Sequence, residues 1–200
     1  VTDDIDGDIR ATNTPNDAGA DAGNFVGVNM VMDSTVVSQI TTSIVIGAKY
    51  QQILGIKMYA RNAGTPLQIT SFLLNTALTS NNLDIEFARV YYTGANATYD
   101  TASVGLFGTL PVIPNGAFSV TGARNLVPGV NYFWLAYDVK NSATQGNLVD
   151  AKVDDAIIVG AASANILYGG DPVGTRTIKG PLNGNYNVGA GQTYTTLTSA

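Results

Sequence analysis

Wherever this chain is apolar, the apolar positions fall on every second residue. In residues 53–61, Leu54, Ile56, Met58 and Ala60 occupy one face while Lys57, Tyr59 and Arg61 occupy the other, the pattern of a half-buried strand. Further on, Leu83, Ile85 and Phe87 alternate with Asp84 and Glu86, after which the apolar side passes to Val90 and Tyr92. A β-bulge near Ala88 and Arg89 would reconcile the two halves, and Asp84 and Glu86 would line a solvated strand face. Residues 131–139 are apolar on both faces, with Phe133, Leu135, Tyr137 and Val139 opposite Tyr132, Trp134 and Ala136; this predicts a central strand. Further strands are expected near 36–46, 67–74, 116–120, 148–153 and 155–159, with Gly, Asn and Pro between them, as in GTLPVIPNG at 108–116. The expectation is an all-β chain, an antiparallel β-sandwich of jelly-roll type, with Leu54, Ile56, Phe87, Phe133 and Leu135 in its core.

Composition narrows the chemistry. The 200 residues hold no cysteine and no histidine, and 12% are charged. Disulfides, thiolate sites and triads built on histidine are excluded together. Glu86 is the lone glutamate among 15 acidic residues, and the formal net charge is −5. Ten scattered Lys and Arg residues make no phosphate-binding footprint, so nucleic acid is not an expected partner. No apolar run reaches the roughly 18–20 residues of a membrane span, so no membrane insertion is expected. The opening VTDDIDGD lacks the basic and apolar regions of an export signal; if the protein is exported, that signal lies outside these residues.

Three stretches carry a resemblance. They are VYYTGANATYDT at 90–101, LFG at 106–108 and NYFWLAYDVKNSATQGNLVDA at 131–151. In this order and spacing they resemble the sialidase N-terminal domain family, the BNR-repeat-associated N-terminal domain, over roughly residues 25–180. The resemblance implies a β-sandwich module of extracellular, cell-surface proteins of the Bacteroidetes. It also implies that catalysis resides in a separate propeller domain.

The termini read differently. Residues 1–24 contain DDIDGDIRATNTPNDAGADAG, which looks like the end of a right-handed parallel β-helix. Residues 181–200 contain NYNVGAGQTYTTLTSA, which looks like the opening of another. A solenoid coil needs stacked neighbours to bury its apolar face, so partners for both ends would be neighbouring domains or copies of the same protein. A polar arm at 1–24 and a linker with one strand at 181–200 are the alternative.

Candidate sites follow from the side chains. No catalytic residue is expected: Asp84 and Glu86 share one strand face and cannot bracket a glycosidic bond. Calcium is the only cofactor considered, held by Asp4, Asp6 and Asp8. The glycine falls after the second of these acids, which breaks the EF-hand order, and Asx turns account for the same residues. Asp150, Asp154 and Asp155 read as strand ends and loop caps. Trp134 in a doubly apolar strand reads as core, whereas Tyr50, Tyr59 and Tyr99 lie in polar surroundings and are the candidate glycan contacts. Thr101 and Ser34, in D-T-A and D-S-T contexts, match a short O-glycosylation motif. The leading functional expectation is a non-catalytic structural or adhesion module of a large repetitive surface or filament protein. A carbohydrate-binding accessory module of a secreted glycoside hydrolase and a fibre subunit polymerising by strand addition stand beside it.

Overall fold

The computed structural model describes residues 28–100, 105–159, 169–181 and 187–191. Eleven strands carry them: β1 (Val31–Gln39), β2 (Ile44–Val45), β3 (Gln51–Arg61), β4 (Gln68–Asn75), β5 (Ile85–Gly94), β6 (Gly105–Leu110), β7 (Ala117–Asn125), β8 (Gly129–Val139), β9 (Leu148–Val149), β10 (Lys152–Val159) and β11 (Arg176–Lys179). A five-stranded sheet runs β1-β3-β8-β5-β6, and a three-stranded sheet runs β10-β4-β7. A small third sheet, β2-β11-β9, brings Ile44, Ile178 and Val149 into the same core. All pairings between these strands are antiparallel except that of β2 with β11. The chain is thus the antiparallel β-sandwich that its two-residue period requires.

The central position of β8 follows from its sequence, since only an inner strand can have both neighbours and both faces covered. Its inward residues Phe133, Leu135, Tyr137 and Val139 are fully buried. Phe133 is the hub of the core. Its ring lies 5.0 Å from Phe72 on β4, 5.7 Å from Phe107 on β6 and 4.8 Å from Tyr92 on β5, so one side chain joins strands of both large sheets. Behind Phe107 the chain needs glycine: a Cβ on Gly108 would stand 2.0 Å from the Thr121 carbonyl oxygen of β7. The LFG triplet therefore supplies a core ring and then the gap through which β7 passes.

Leu54, Ile56, Phe133 and Leu135 are buried as expected, and Phe87 is not. The register against β8 slips between Ile85 and Phe87, so the bulge falls at Glu86, ahead of the Ala88–Arg89 position that the alternation suggested. The slip turns Phe87 to the outer face, where the Arg89 guanidinium lies 5.1 Å from its ring centroid, and puts Ala88 and Val90 in the core. Asp84 also departs from the solvated-face reading. It is buried, accepting hydrogen bonds from the Thr144 amide at 3.0 Å and Asn147 Nδ2 at 2.6 Å, and thereby staples the loop after β8 to the start of β5. Glu86 stays outside and pairs with Lys49.

The expected strands at 148–153 and 155–159 resolve into β9 and a continuous β10, broken at Asp150 and Ala151. Asp150 is buried there, accepting from Gln39 Nε2 at 2.6 Å and the Leu78 amide at 3.1 Å; it is the loop cap that its position suggested. Strands β6 and β11 were not foreseen, being short and glycine- or charge-bearing.

Two predictions test this core. Phe133→Ala is expected to cost about 3–5 kcal/mol in denaturant unfolding, as for buried aromatic truncations, and the half-exposed Phe87→Ala about 1 kcal/mol or less; equal losses would place both on one face. The second concerns alkali. Burial, with the Asp150 charge adding to it, pushes the Tyr137 hydroxyl pKa up, above the ordinary value of about 10. Between those two pKa values the folded chain holds a proton that the unfolded chain has lost, so stability is full below about pH 10 and falls as pH rises beyond it. Tyr137→Phe should flatten that fall in denaturant midpoints measured against pH. It should cost little at pH 7, because the hydroxyl is buried without a hydrogen-bond partner among the described residues.

Candidate functional site

The second apolar face of β8 needs its own cover. Tyr132, Trp134 and Ala136 point away from the core, and with Tyr91 of β5 and Tyr99 of the following loop they form a separate cluster on the outer face of the five-stranded sheet. Trp134 is buried as expected, at 6% exposed, but in this second cluster and not between the two large sheets. The Tyr132 ring stacks on it at 5.7 Å with an interplanar angle of 11°, Tyr99 leans on it at 5.9 Å, and its Nε1 donates to Thr93 Oγ1 at 2.8 Å. Beneath it lies Gly55 of β3, directly opposite in register, where a Cβ would stand 2.8 Å from Trp134 Cζ3 and 2.9 Å from Ser38 Oγ.

The segment VYYTGANATYDT is the device that folds this cover over. Tyr91 faces outward and Tyr92 inward, as alternation dictates, with the Tyr92 hydroxyl donating to Asn131 Oδ1 at 2.7 Å. Gly94 then takes a φ of 62°, the Asn96 amide donates back to the Thr93 carbonyl, and Asn96 Oδ1 accepts from the Thr98 amide at 3.0 Å, an Asx turn. The reversed chain brings Tyr99 across the Tyr91 ring at 5.8 Å. Burial pushes the Tyr99 pKa up, with Tyr91 adding to it, so the hydroxyl is a neutral donor at physiological pH; it donates to the Tyr50 carbonyl at 3.1 Å.

Tyr50 itself is held in an unfavourable backbone. Its φ is 55°, left-handed territory that an aromatic residue rarely occupies. Three contacts fix it there: the Tyr99 hydroxyl on its carbonyl, Asp138 Oδ1 on its amide at 2.8 Å, and the Arg89 guanidinium 5.0 Å from its ring centroid. Burial disfavours the Arg89 charge, but the Asp138 carboxylate 2.7 Å away more than offsets it and raises the Arg89 pKa. Such over-determined strain is the kind found at ligand clamps. Tyr50 and Tyr99 then flank an open cleft of about 380 Å³, with Gln51, Gln52 and Arg176 among its walls.

Of the three tyrosines expected to meet glycan, Tyr50 and Tyr99 come together at this cleft. Tyr59 lies on the same sheet face but is separate, opposite Val130 and diagonal to Tyr132. The strip thus runs Tyr59, Tyr132, Trp134, Tyr99, Tyr50. Tyr132 and Trp134, whose strand read as core, and Arg176 were not among the candidate contacts. The available signal was that a sandwich sheet buries one face, so a strand apolar on both must have its outer face covered locally. Ser34 lies exposed on β1 opposite Tyr59. Asp4, Asp6, Asp8 and Thr101 lie outside the described residues. Among the described residues, no group of three or more acidic, His or Cys side chains could hold a metal. A second concavity of about 470 Å³, between Ser80, Asn81, Asn82, Leu83, Ile113 and Asn115, has amides but no aromatic platform.

A family model described as the N-terminal domain of BNR-repeat neuraminidase matches residues 32–161, and the chain belongs to that family. It is the N-terminal associated domain, not the catalytic BNR-repeat domain. The solved structure of "Hadza microbial sialidase Hz136" has a similar fold, with a TM-score of 0.55 and 11% sequence identity over 71% of this chain. The match takes in 30% of that protein's length. No curated protein sequence matches the chain.

The lone tryptophan of the chain reports on this face. Gly55→Ala should displace the Trp134 ring from its seat on Gly55, shifting its emission to longer wavelength and costing about 1–3 kcal/mol of stability. Unchanged emission would mean that the ring does not rest on Gly55.

Proposed function

We propose that this chain is a non-catalytic accessory module of an exported, extracellular sialidase-like glycoside hydrolase, and that it holds glycan along the strip from Tyr59 to Tyr50. One observation carries the reading: an aromatic cluster assembled on the outer face of the five-stranded sheet, separate from a core that already has its own ring hub. Aromatic rings left beside polar groups on a sheet face suit the apolar face of a pyranose. Lys57, opposite Tyr132, supplies a charged neighbour able to donate to hydroxyls. Family membership supports the same reading over a purely structural or adhesive role. Among the described residues no helix is long and apolar enough to cross a membrane. The terminal segments, read as β-helix edges, would join this module to neighbouring domains of a Bacteroidetes surface protein; they lie largely outside the described residues.

Absence of catalysis is part of the proposal. Asp84 is consumed by Thr144 and Asn147, and Glu86 by Lys49, so neither faces a partner acid across a cleft.

Titration with neutral oligosaccharides should show binding that weakens about tenfold in Tyr132→Ala, a loss typical of an aromatic contact at a binding hot spot, with a smaller loss in Tyr59→Ala. No glycoside in a broad panel should be turned over by the isolated chain. Affinity untouched by both substitutions, or turnover abolished by Glu86→Gln, overturns the proposal.

A further inference from the structure

Arg176 is placed unlike any other cation in the described chain. It opens β11, paired with Val149 of β9, and its side chain runs inward until it is 5% exposed. Nε donates to the Thr42 carbonyl at 2.7 Å, Nη1 to the Gln52 carbonyl, and Nη2 to the Ser43 carbonyl and Gln51 Oε1, each at 3.3 Å, with Thr42 Oγ1 at 3.5 Å. Every one of these acceptors is neutral. The ion pairs of the described residues are Lys49 with Glu86, Arg61 with Asp33, Arg89 with Asp138 and Lys152 with Asp154; Arg176 is in none of them.

A buried charge is ordinarily neutralised by a partner charge. Here hydrogen bonds to neutral oxygens stand in that partner's place, and burial lowers the Arg176 pKa. The guanidinium nonetheless stays charged, as its very high intrinsic pKa ensures. It carries five N–H donors, and Nη1 has a second one beyond that given to Gln52. Arg176 also forms part of the wall of the cleft flanked by Tyr50 and Tyr99. The cleft therefore joins two aromatic side chains to a desolvated positive charge.

We propose that this cleft takes a carboxylate-bearing sugar residue, its carboxylate facing Arg176 and its ring set between Tyr50 and Tyr99. This rests on the glycan-module reading and names the class of sugar that the cleft end of the strip selects. A charge-assisted hydrogen bond from a desolvated guanidinium to a carboxylate is stronger than one between neutral groups. Asp100 also lines the cleft. It is exposed, so water and salt screen its repulsion of a second anion more than they screen Arg176.

The test is a comparison within matched pairs, using the 200-residue chain: 3′-sialyllactose against lactose, and digalacturonate against digalactose. The acidic member of at least one pair should bind about tenfold or more tightly, and the pair concerned says whether the carboxylate comes from a nonulosonic acid or a uronate. Gln51→Glu then places a carboxylate where Gln51 Oε1 now accepts from Arg176, without changing the side chain's size. It should bring the acidic-to-neutral ratio to about one. Amide shift mapping on the unsubstituted protein decides the point without a variant: the acidic sugar should move Thr42, Ser43, Gln51 and Gln52, and the neutral one should not. A ratio near one in the unsubstituted protein, or a ratio that survives Gln51→Glu, overturns the inference. Neutral glycan binding that depends on Tyr132, with no preference for acid, sinks this inference and leaves the module reading standing. Acidic binding at the mapped residues without any neutral binding does the reverse.

Discussion

β8 is the strand on which everything else rests, because neither of its faces can be given to water. On the inside, Phe133 draws Phe72, Phe107 and Tyr92 against itself and so couples the two large sheets. On the outside, Tyr132, Trp134 and Ala136 present apolar surface where a sandwich sheet is usually solvated. Among the described residues no second layer of strands covers that side. A loop does it instead, and the loop that swings Tyr99 across also builds one wall of the cleft. The surface site is in this sense a by-product of hydrophobic burial on the far side of the core.

How far the fold could be read from the sequence depended on whether alternation was undisturbed. β3 and β8 alternate cleanly, and their inward residues were identified one by one. β5 contains a bulge, and alternation alone shows that one exists without showing where: a slip at Glu86 and a slip at Ala88 both return Val90 to the core. Only the pairing with Val139 and Asp138 of β8 places it. Asp84 escaped for a related reason, since a buried carboxylate is recognisable by its donors, and these come from residues 144 and 147, about sixty positions along the chain. The short strands β6 and β11 carry too few apolar residues to declare a period at all.

The site was legible in part and by type. Polar neighbours in sequence set Tyr50, Tyr59 and Tyr99 apart; Tyr50 and Tyr59 are exposed, whereas Tyr99 packs against Tyr91 and Trp134. Trp134 was lost because hydrophobicity does not distinguish one buried face from another. Arg176 could not have been found, for what sets it apart is which carbonyls surround it. The stretch NYFWLAYDVKNSATQGNLVDA, which carried the family resemblance, turns out to be mostly architecture. It contains the central strand, the donors Thr144 and Asn147 that hold Asp84, and the cap Asp150 that holds Leu78 and Gln39.

The tight passage of β7 behind Gly108 bears on how copies of the domain could be joined. Where the Thr121 carbonyl stands within bonding reach of a Cβ that glycine lacks, β6 and β7 leave no room for a strand between them. At the other side of the five-stranded sheet, β1 has β3 as its one strand neighbour among the described residues. Strand addition is consequently excluded between β6 and β7, where Gly108 meets Thr121.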